Sequence, residues 1–116
     1  METSKLTNLQ KAIEIVDEVR GINEQVRKET PTVDVRAGAT YYSYGEVQLC
    51  FYVFVGTELV ESMYLYEFNE TKVKDFEQFR EHLMSDICGK SAQEVVRYYK
   101  IKQLEKLEAE LAENGE

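Results

Sequence analysis

Apolar residues recur at steps of three and four along the first quarter of the chain, which is the spacing of one face of an α-helix. The pattern stops at Thr30-Pro31, because the residue before a proline avoids the helical conformation. We therefore predict a helix over residues 6–29. Its buried stripe is expected to comprise Leu6, Leu9, Ile13, Val16, Val19, Ile22 and Val26.

The period of the apolar pattern changes to two after the proline, as it does in β-strands. Alternate residues share one aliphatic face over 33–41 and again over 47–55. The two faces coincide only if the turn between the strands has three residues. The segment 43–45 suits such a turn, because Gly45 readily adopts a left-handed backbone conformation.

A third strand completes a predicted β-meander over residues 32–68. The pattern leaves open which way this strand faces. A three-residue turn at 56–58 sets Leu59, Met63 and Leu65 beside the aliphatic face, whereas a two-residue turn reverses that assignment. The middle strand is apolar on both faces, which indicates a central position with both sides at least partly covered.

Two helices are predicted after the strands. The first covers residues 70–88 with Asn69 as its cap, and the second covers residues 92–113 and begins at the capping box 91–94. The second also carries a narrow seam at coiled-coil spacing, which the N-terminal helix or a second subunit should cover. This leucine seam comprises Leu104, Leu107 and Leu111. The elements predict one α+β domain over 1–116: an N-terminal helix, a three-stranded antiparallel meander and two C-terminal helices.

The composition fits one domain inside the cell. The chain has 116 residues, with 22 Asp plus Glu against 14 Lys plus Arg, and a net charge of −8. Its longest apolar run, 47–55, is about half of the roughly 20 residues that a membrane helix needs. The first residues lack the basic and apolar segments of a secretory signal, and Cys50 and Cys88 form no C-x-x-C pattern. We expect a cytoplasmic protein with reduced thiols and no membrane association.

Candidate catalytic chemistry is sparse. His82 is the single histidine and Asp86 lies one helical turn after it, but two ligands do not make a metal site. Cys50 and His82 lie in no recognisable nucleophile context, and the scattered glycines form no phosphate-binding loop. The sequence therefore predicts a protein that is not an enzyme, with no cofactor and no metal.

The distribution of charge is more informative than its total. No basic residue occurs between Arg36 and Lys72, a stretch that is rich in tyrosine and glutamate. Such a surface lacks the cationic groove that single-stranded nucleic acid requires, so direct nucleic-acid binding is disfavoured. A basic protein surface suits it better, because the field steers association and tyrosines supply contact area. The predicted partner-binding residues are Tyr42, Tyr44, Glu46, Glu58, Glu61, Tyr64, Tyr66 and Glu67.

In size, charge and element order the chain resembles the small acidic inhibitors, anti-CRISPR proteins among them, that phages and other mobile elements direct against host nucleic-acid enzymes. The resemblance implies that carboxylates stand in for phosphates on a basic nucleic-acid-binding surface of a host enzyme. The alternative is a homo-oligomeric small-ligand-binding protein. In that hypothesis a homodimer, formed through the leucine seam, encloses a tyrosine-lined pocket.

Overall fold

The computed structural model describes the backbone of residues 2–114 and the side chains from Thr7 onward. A short 3-10 turn, Glu70–Lys72, precedes the second helix, and a π-helical turn, Leu83–Ile87, follows it. The strands form one antiparallel sheet in the order β1-β2-β3, which confirms the predicted α+β architecture. The elements are α1 (Glu2–Glu29), β1 (Val33–Tyr41), β2 (Val47–Val55), β3 (Glu58–Leu65), α2 (Val73–His82) and α3 (Ala92–Asn114).

Helix α1 begins at Glu2, four residues before the predicted start, and packs on the sheet through a face slightly rotated from the expected one. The prediction that Ile13 is buried was wrong, because this side chain is 44% exposed. At about 3.6 residues per turn, Ala12 and Ile15 are better aligned with the rest of the stripe than Ile13 is. The side chain of Leu6 lies outside the described residues. The buried face consists of Ala12, Ile15, Val19, Ile22 and Val26.

The hairpin between β1 and β2 has the predicted register. Tyr41 lies opposite Val47, and the Tyr42 N–H donates to the Glu46 carbonyl at 2.9 Å. The turn therefore has three residues, and Gly45 within it has a φ of 94°. This register places the aliphatic residues of both strands on one face, as the alternation indicated.

The hairpin between β2 and β3 combines a two-residue turn with a β-bulge. Glu58 lies opposite Val55, but the register shifts between Val53 and Phe54 so that Val60 is the extra residue. A bulge of this kind moves all later side chains of its strand to the opposite face. Met63 and Leu65 consequently share the aliphatic face, whereas Leu59, opposite Phe54, is on the other face.

The hydrophobic core lies between one face of the sheet and the helices. Phe51 is fully buried at its centre, with its ring stacked on Phe76 at 5.7 Å and tilted against Phe79 at 5.2 Å. Strand β2 is central, as predicted. Its other face is half-buried by neighbouring side chains of the sheet, and none of the core residues belongs to it.

Helix α2 and its π-helical turn form one continuous rod under the sheet. The Asn69 side chain accepts a hydrogen bond from the Thr71 N–H at 2.9 Å, which confirms Asn69 as the cap. The rod buries Phe76, Phe79, Leu83 and Ile87, and it ends before Gly89, where φ is 85°. The N–H of Cys88 donates to the Leu83 carbonyl at 2.9 Å, the five-residue spacing of a π-helix.

Helix α3 is anchored only by its first half. The predicted capping box is present: the Glu94 N–H donates to the Ser91 hydroxyl at 3.1 Å, and the Ser91 N–H donates to the Glu94 carboxylate at 3.2 Å. Val95 and Tyr99 are buried. Every residue from 100 to 114 is exposed, so the second half of α3 extends beyond the core.

Candidate functional site

The sheet face that points away from the helices carries a row of aromatic side chains. Residues of β2 alternate between the two faces, so Tyr52 and Phe54 lie on the opposite side from Phe51. Tyr64 lies opposite Cys50 and belongs to the same side, as does Tyr66 two residues later. Tyr64 is 42% exposed and Tyr66 is 57% exposed. We call this surface the outer face, comprising Tyr42, Gln48, Cys50, Tyr52, Phe54, Tyr64 and Tyr66.

Ring contacts hold the aromatic row of the outer face in place. Tyr52 meets Tyr64 edge-on with centroids 5.9 Å apart, and Tyr64 stacks on Tyr66 at 6.0 Å. Because these contacts already restrict the side chains, less conformational entropy is lost when a partner binds. The row ends where the Arg36 guanidinium lies 5.6 Å from the centre of the Phe54 ring.

A groove of about 340 Å³ lies at the end of the sheet, where the 43–45 turn approaches the chain after β3. The Tyr44 hydroxyl donates to Glu46 at 2.6 Å, and this hydrogen bond is the main reason that the pKa of Tyr44 is raised to about 12. Glu67 has a φ of 48°, in the left-handed region that non-glycine residues rarely adopt. We call this feature the acidic groove, lined by Asn8, Tyr44, Gly45, Glu46, Val47, Glu67, Phe68 and Asn69.

The outer face and the acidic groove form one continuous surface, because Tyr42 joins them. Its hydroxyl donates to Gln48 on the outer face at 2.7 Å, and its ring stacks on Tyr44 in the groove at 5.4 Å. The residues predicted to bind a partner that share this surface are Tyr42, Tyr44, Glu46, Tyr64, Tyr66 and Glu67.

Glu58 and Glu61, also predicted to bind the partner, lie elsewhere. Glu58 is the first residue of β3, next to the turn at the opposite end of the sheet, and Glu61 is on the helix side opposite Val53. Conversely, sequence reasoning left out Tyr52 and Phe54. These two residues alternate with the buried residues of β2 in the sequence. They were not predicted to bind a partner because both faces of the strand were expected to be at least partly covered.

A second polar cluster lies on the helix side of β3, around His82. The Nε2 atom of His82 lies 2.9 Å from Glu61 Oε1, and its Nδ1 atom lies 2.8 Å from Asp86 Oδ2. The Tyr99 hydroxyl donates to the same Glu61 oxygen at 2.8 Å. The bulge at Val60 places Glu61 in this cluster, which links β3 to α2 and α3.

The electrostatics of the cluster favour a protonated imidazole between two carboxylates. The hydrogen bond with Glu61 raises the pKa of His82 against the opposing effect of burial, and the hydrogen bond with His82 lowers the pKa of Asp86. Burial favours a higher pKa for Glu61, but the bonds from His82 and Tyr99 outweigh it and the pKa is lowered. In the protonated form both ring nitrogens donate, one to Glu61 and one to Asp86.

The two cysteine thiols are not placed for nucleophilic chemistry. Cys50 lies on the outer face and His82 on the helix side, so they form no nucleophile and base pair. The Cys88 thiol donates to Glu29 at 3.0 Å, and burial is the main cause that raises its pKa to about 11. Among the described side chains, residues 7–114, no group of three or more His, Cys, Asp or Glu is placed to hold a metal.

The leucine seam is exposed along its whole length. Leu104 is 58% exposed, Leu107 53% and Leu111 69%. Leu104 follows the buried Val95 by nine residues, about two and a half turns, so it points away from the core. Of the two expected partners of the seam, the N-terminal helix and a second subunit, helix α1 does not cover it.

No helix within the described range combines the length and apolar character needed to cross a membrane.

Comparison of the chain with protein-family models, curated proteins and solved structures finds no match.

Proposed function

We propose that this protein is a non-enzymatic binding module that uses the outer face and the acidic groove to hold a basic surface of another protein. The observation that supports this most directly is a sheet face bearing exposed tyrosines, beside a groove lined by Glu46 and Glu67. Arg36 and Lys72 are the basic residues on either side of this stretch of the sequence, and each already has a partner within the protein. Arg36 pairs with Asp34 at 2.8 Å, and the Lys72 ammonium donates to the Tyr66 carbonyl.

The chemistry of the groove suits an arginine or lysine side chain from the partner. Glu46 and Glu67 supply carboxylate oxygens, which form strong charge-assisted hydrogen bonds with guanidinium groups. The ring of Tyr44, 66% exposed, supplies a π-face on which the same guanidinium can stack. The outer-face tyrosines add apolar area and hydroxyl groups around this contact, the composition typical of interface centres.

The same features disfavour nucleic acid and favour a protein that binds nucleic acid. Phosphates would be repelled by the carboxylates, whereas a phosphate-binding site of an enzyme presents the arginines and lysines that the groove requires. We therefore propose, as the finer form of this function, an inhibitor of the phage or mobile-element type that occupies such a site. Its resemblance to anti-CRISPR proteins in size and charge agrees with this proposal.

The binding surface is tested by nuclear magnetic resonance, with isotope-labelled protein titrated with an arginine-rich peptide. We expect amide shifts concentrated at 42–48 and 64–69, which weaken steeply as salt is added. The charge reversals Glu46→Lys and Glu67→Lys should abolish these shifts. Glu24→Lys, an equal change of charge at an exposed position of helix α1, is the matched control and should leave them intact. Shifts that survive both groove reversals would exclude this surface.

The inhibitor form is tested by competition. A partner captured from nuclease-treated bacterial lysate at low salt should be released by added nucleic acid, because both compete for one basic site. The Glu46→Lys and Glu67→Lys variants should fail to capture it, and Glu24→Lys should succeed. Direct binding of nucleic acid to this protein, or a partner that nucleic acid does not displace, would contradict the inhibitor form.

A second candidate function is small-ligand binding, which one observation favours. A cavity of about 380 Å³ beside His82 is lined by Val60, Glu61, His82, Tyr98, Tyr99 and Lys102. Both tyrosines of this cavity belong to the same chain. The sequence instead predicted a tyrosine-lined pocket enclosed by two subunits of a dimer. This function predicts thermal stabilisation by a polar metabolite that Tyr98→Ala abolishes and Glu46→Lys leaves unchanged.

A further inference from the structure

The second half of α3 presents an apolar stripe that no described part of the same chain covers. Leu104, Leu107 and Leu111 are spaced by three and four residues, which is the spacing of the core positions of a coiled coil. They lie on the side of the helix opposite Val95, which anchors α3 to the core. A partner helix can therefore approach the seam without displacing the core.

The charges along α3 discriminate between the orientations of a second copy. Arg97 and Lys100 lie at the seam positions before Leu104, and Glu108 and Glu110 flank the seam between Leu107 and Leu111. Parallel pairing would set like charges together at both ends. Antiparallel pairing sets the basic end of one helix against the acidic end of the other.

We propose that two copies of this chain associate through α3 in antiparallel orientation. In this arrangement Leu104 of each copy packs against Leu107 of the other. Lys100 lies across Leu111 of the other copy, its aliphatic stem covering that leucine and its ammonium reaching Glu110. The seam spans about two heptads, so the interface is small and the dimer is expected to be concentration-dependent.

Sedimentation equilibrium over a wide range of concentrations tests the seam. The full chain should approach twice its monomer mass as concentration rises. Leu107→Glu should weaken association by about a hundredfold, because the dimer would have to bury an unpaired charge. Ala109→Glu, on the exposed opposite side of the same helix, is the matched control and should leave the dimer intact. Circular dichroism checks that both variants keep the fold.

Charge exchange tests the orientation. Lys100→Glu should weaken the dimer by about tenfold, since symmetry repeats each pair, and adding Glu110→Lys should restore it. In a parallel dimer Lys100→Glu would merely replace one like-charge pair by another and leave affinity unchanged. A monomer at every concentration, or a mass unaffected by Leu107→Glu, would overturn the proposal. None of these variants alters the outer face or the acidic groove, so failure here is distinguishable from failure of the proposed function.

Discussion

The Nε2 atom of His82, the last residue of α2, lies 2.9 Å from Oε1 of Glu61 in β3. This contact joins β3 to α2 across the segment 66–72. The other ring nitrogen, Nδ1, lies 2.8 Å from Asp86 Oδ2. Contacts from a carboxylate to each ring nitrogen fix the imidazole in one orientation. Tyr98, Tyr99 and Lys102 of α3 complete the surroundings of the imidazole. The cluster therefore connects the stability of three elements to one protonation state.

The stability of the protein should fall as pH rises through the titration of His82. Folding raises the pKa of His82 above its ordinary value of 6.5, so its contribution is complete below 6.5 and is lost above the raised pKa. Folding lowers the pKa of Glu61 from 4.5 and of Asp86 from 3.8, so their contributions are lost on acidification. Urea unfolding as a function of pH should show greatest stability between about 4.5 and 6.5.

The His82→Gln variant provides the comparison for this pH profile. Glutamine keeps a polar side chain but carries no titrating proton, so the decline of stability on the alkaline side should disappear. A variant whose profile still falls as steeply as that of the parent would show that another group is responsible.

Tyr99→Phe should lower the free energy of unfolding by about 1–2 kcal/mol, because it removes a hydrogen bond to a charged, half-buried acceptor. The Tyr99 hydroxyl donates to Glu61 at 2.8 Å and the side chain is buried. Tyr98→Phe is the matched control, since the Tyr98 hydroxyl lies 3.4 Å from His82 Nδ1 and contributes a weaker contact. Equal losses in the two variants, measured by urea unfolding, would contradict the assignment.

Thr30→Val should lower the free energy of unfolding by about 1–3 kcal/mol, the cost of leaving buried polar groups unsatisfied. The Thr30 side chain is 1% exposed, accepts the Gly89 N–H at 3.1 Å and donates to the Lys90 carbonyl at 3.0 Å. It thereby ties the end of α1 to the loop before α3. Thr30→Ser retains the hydroxyl and should recover most of the loss, and a valine variant as stable as the parent would dismiss this role.

Glycine-to-alanine substitutions at Gly45 and Gly21 should have opposite effects. Gly45 has a φ of 94° in the hairpin turn, so alanine there should lower the free energy of unfolding by about 1 kcal/mol or more. Gly21 lies on the exposed side of helix α1, where an added Cβ would meet no atom within 4 Å, so alanine there should raise it by up to about 1 kcal/mol. Thermal melting of both variants is the measurement. A destabilised Gly21→Ala would show that the helix bends or contacts a partner there.

Much of the fold was predictable because it is encoded in short segments. The three-residue turn at Gly45 followed from the alternation on either side, and the capping box at Ser91 followed from residues three positions apart. The position of Glu61 was not predictable, because one bulged residue, Val60, reverses the facing of all the later residues of β3. Sequence alternation alone cannot show a bulge when both faces of a strand carry apolar residues.

The candidate site divides in the same way. The tyrosines and carboxylates of the hairpin, from Tyr42 to Glu46, were identified by composition and meet in the structure. Tyr52 and Phe54 belong to this surface because the helices pack on the other side of the sheet, which the alternation of residues does not specify.

The sequence by itself determined the order of elements, the register of the first hairpin, the caps at Asn69 and Ser91 and the leucine seam, since each depends on local spacing and turn chemistry. The tertiary structure alone decided which face of the sheet the helices cover, that Glu61 pairs with His82, and that the leucine seam points away from the core. These outcomes depend on how distant segments share one core. A period of two or 3.6 defines the faces of an element but does not specify what each face contacts.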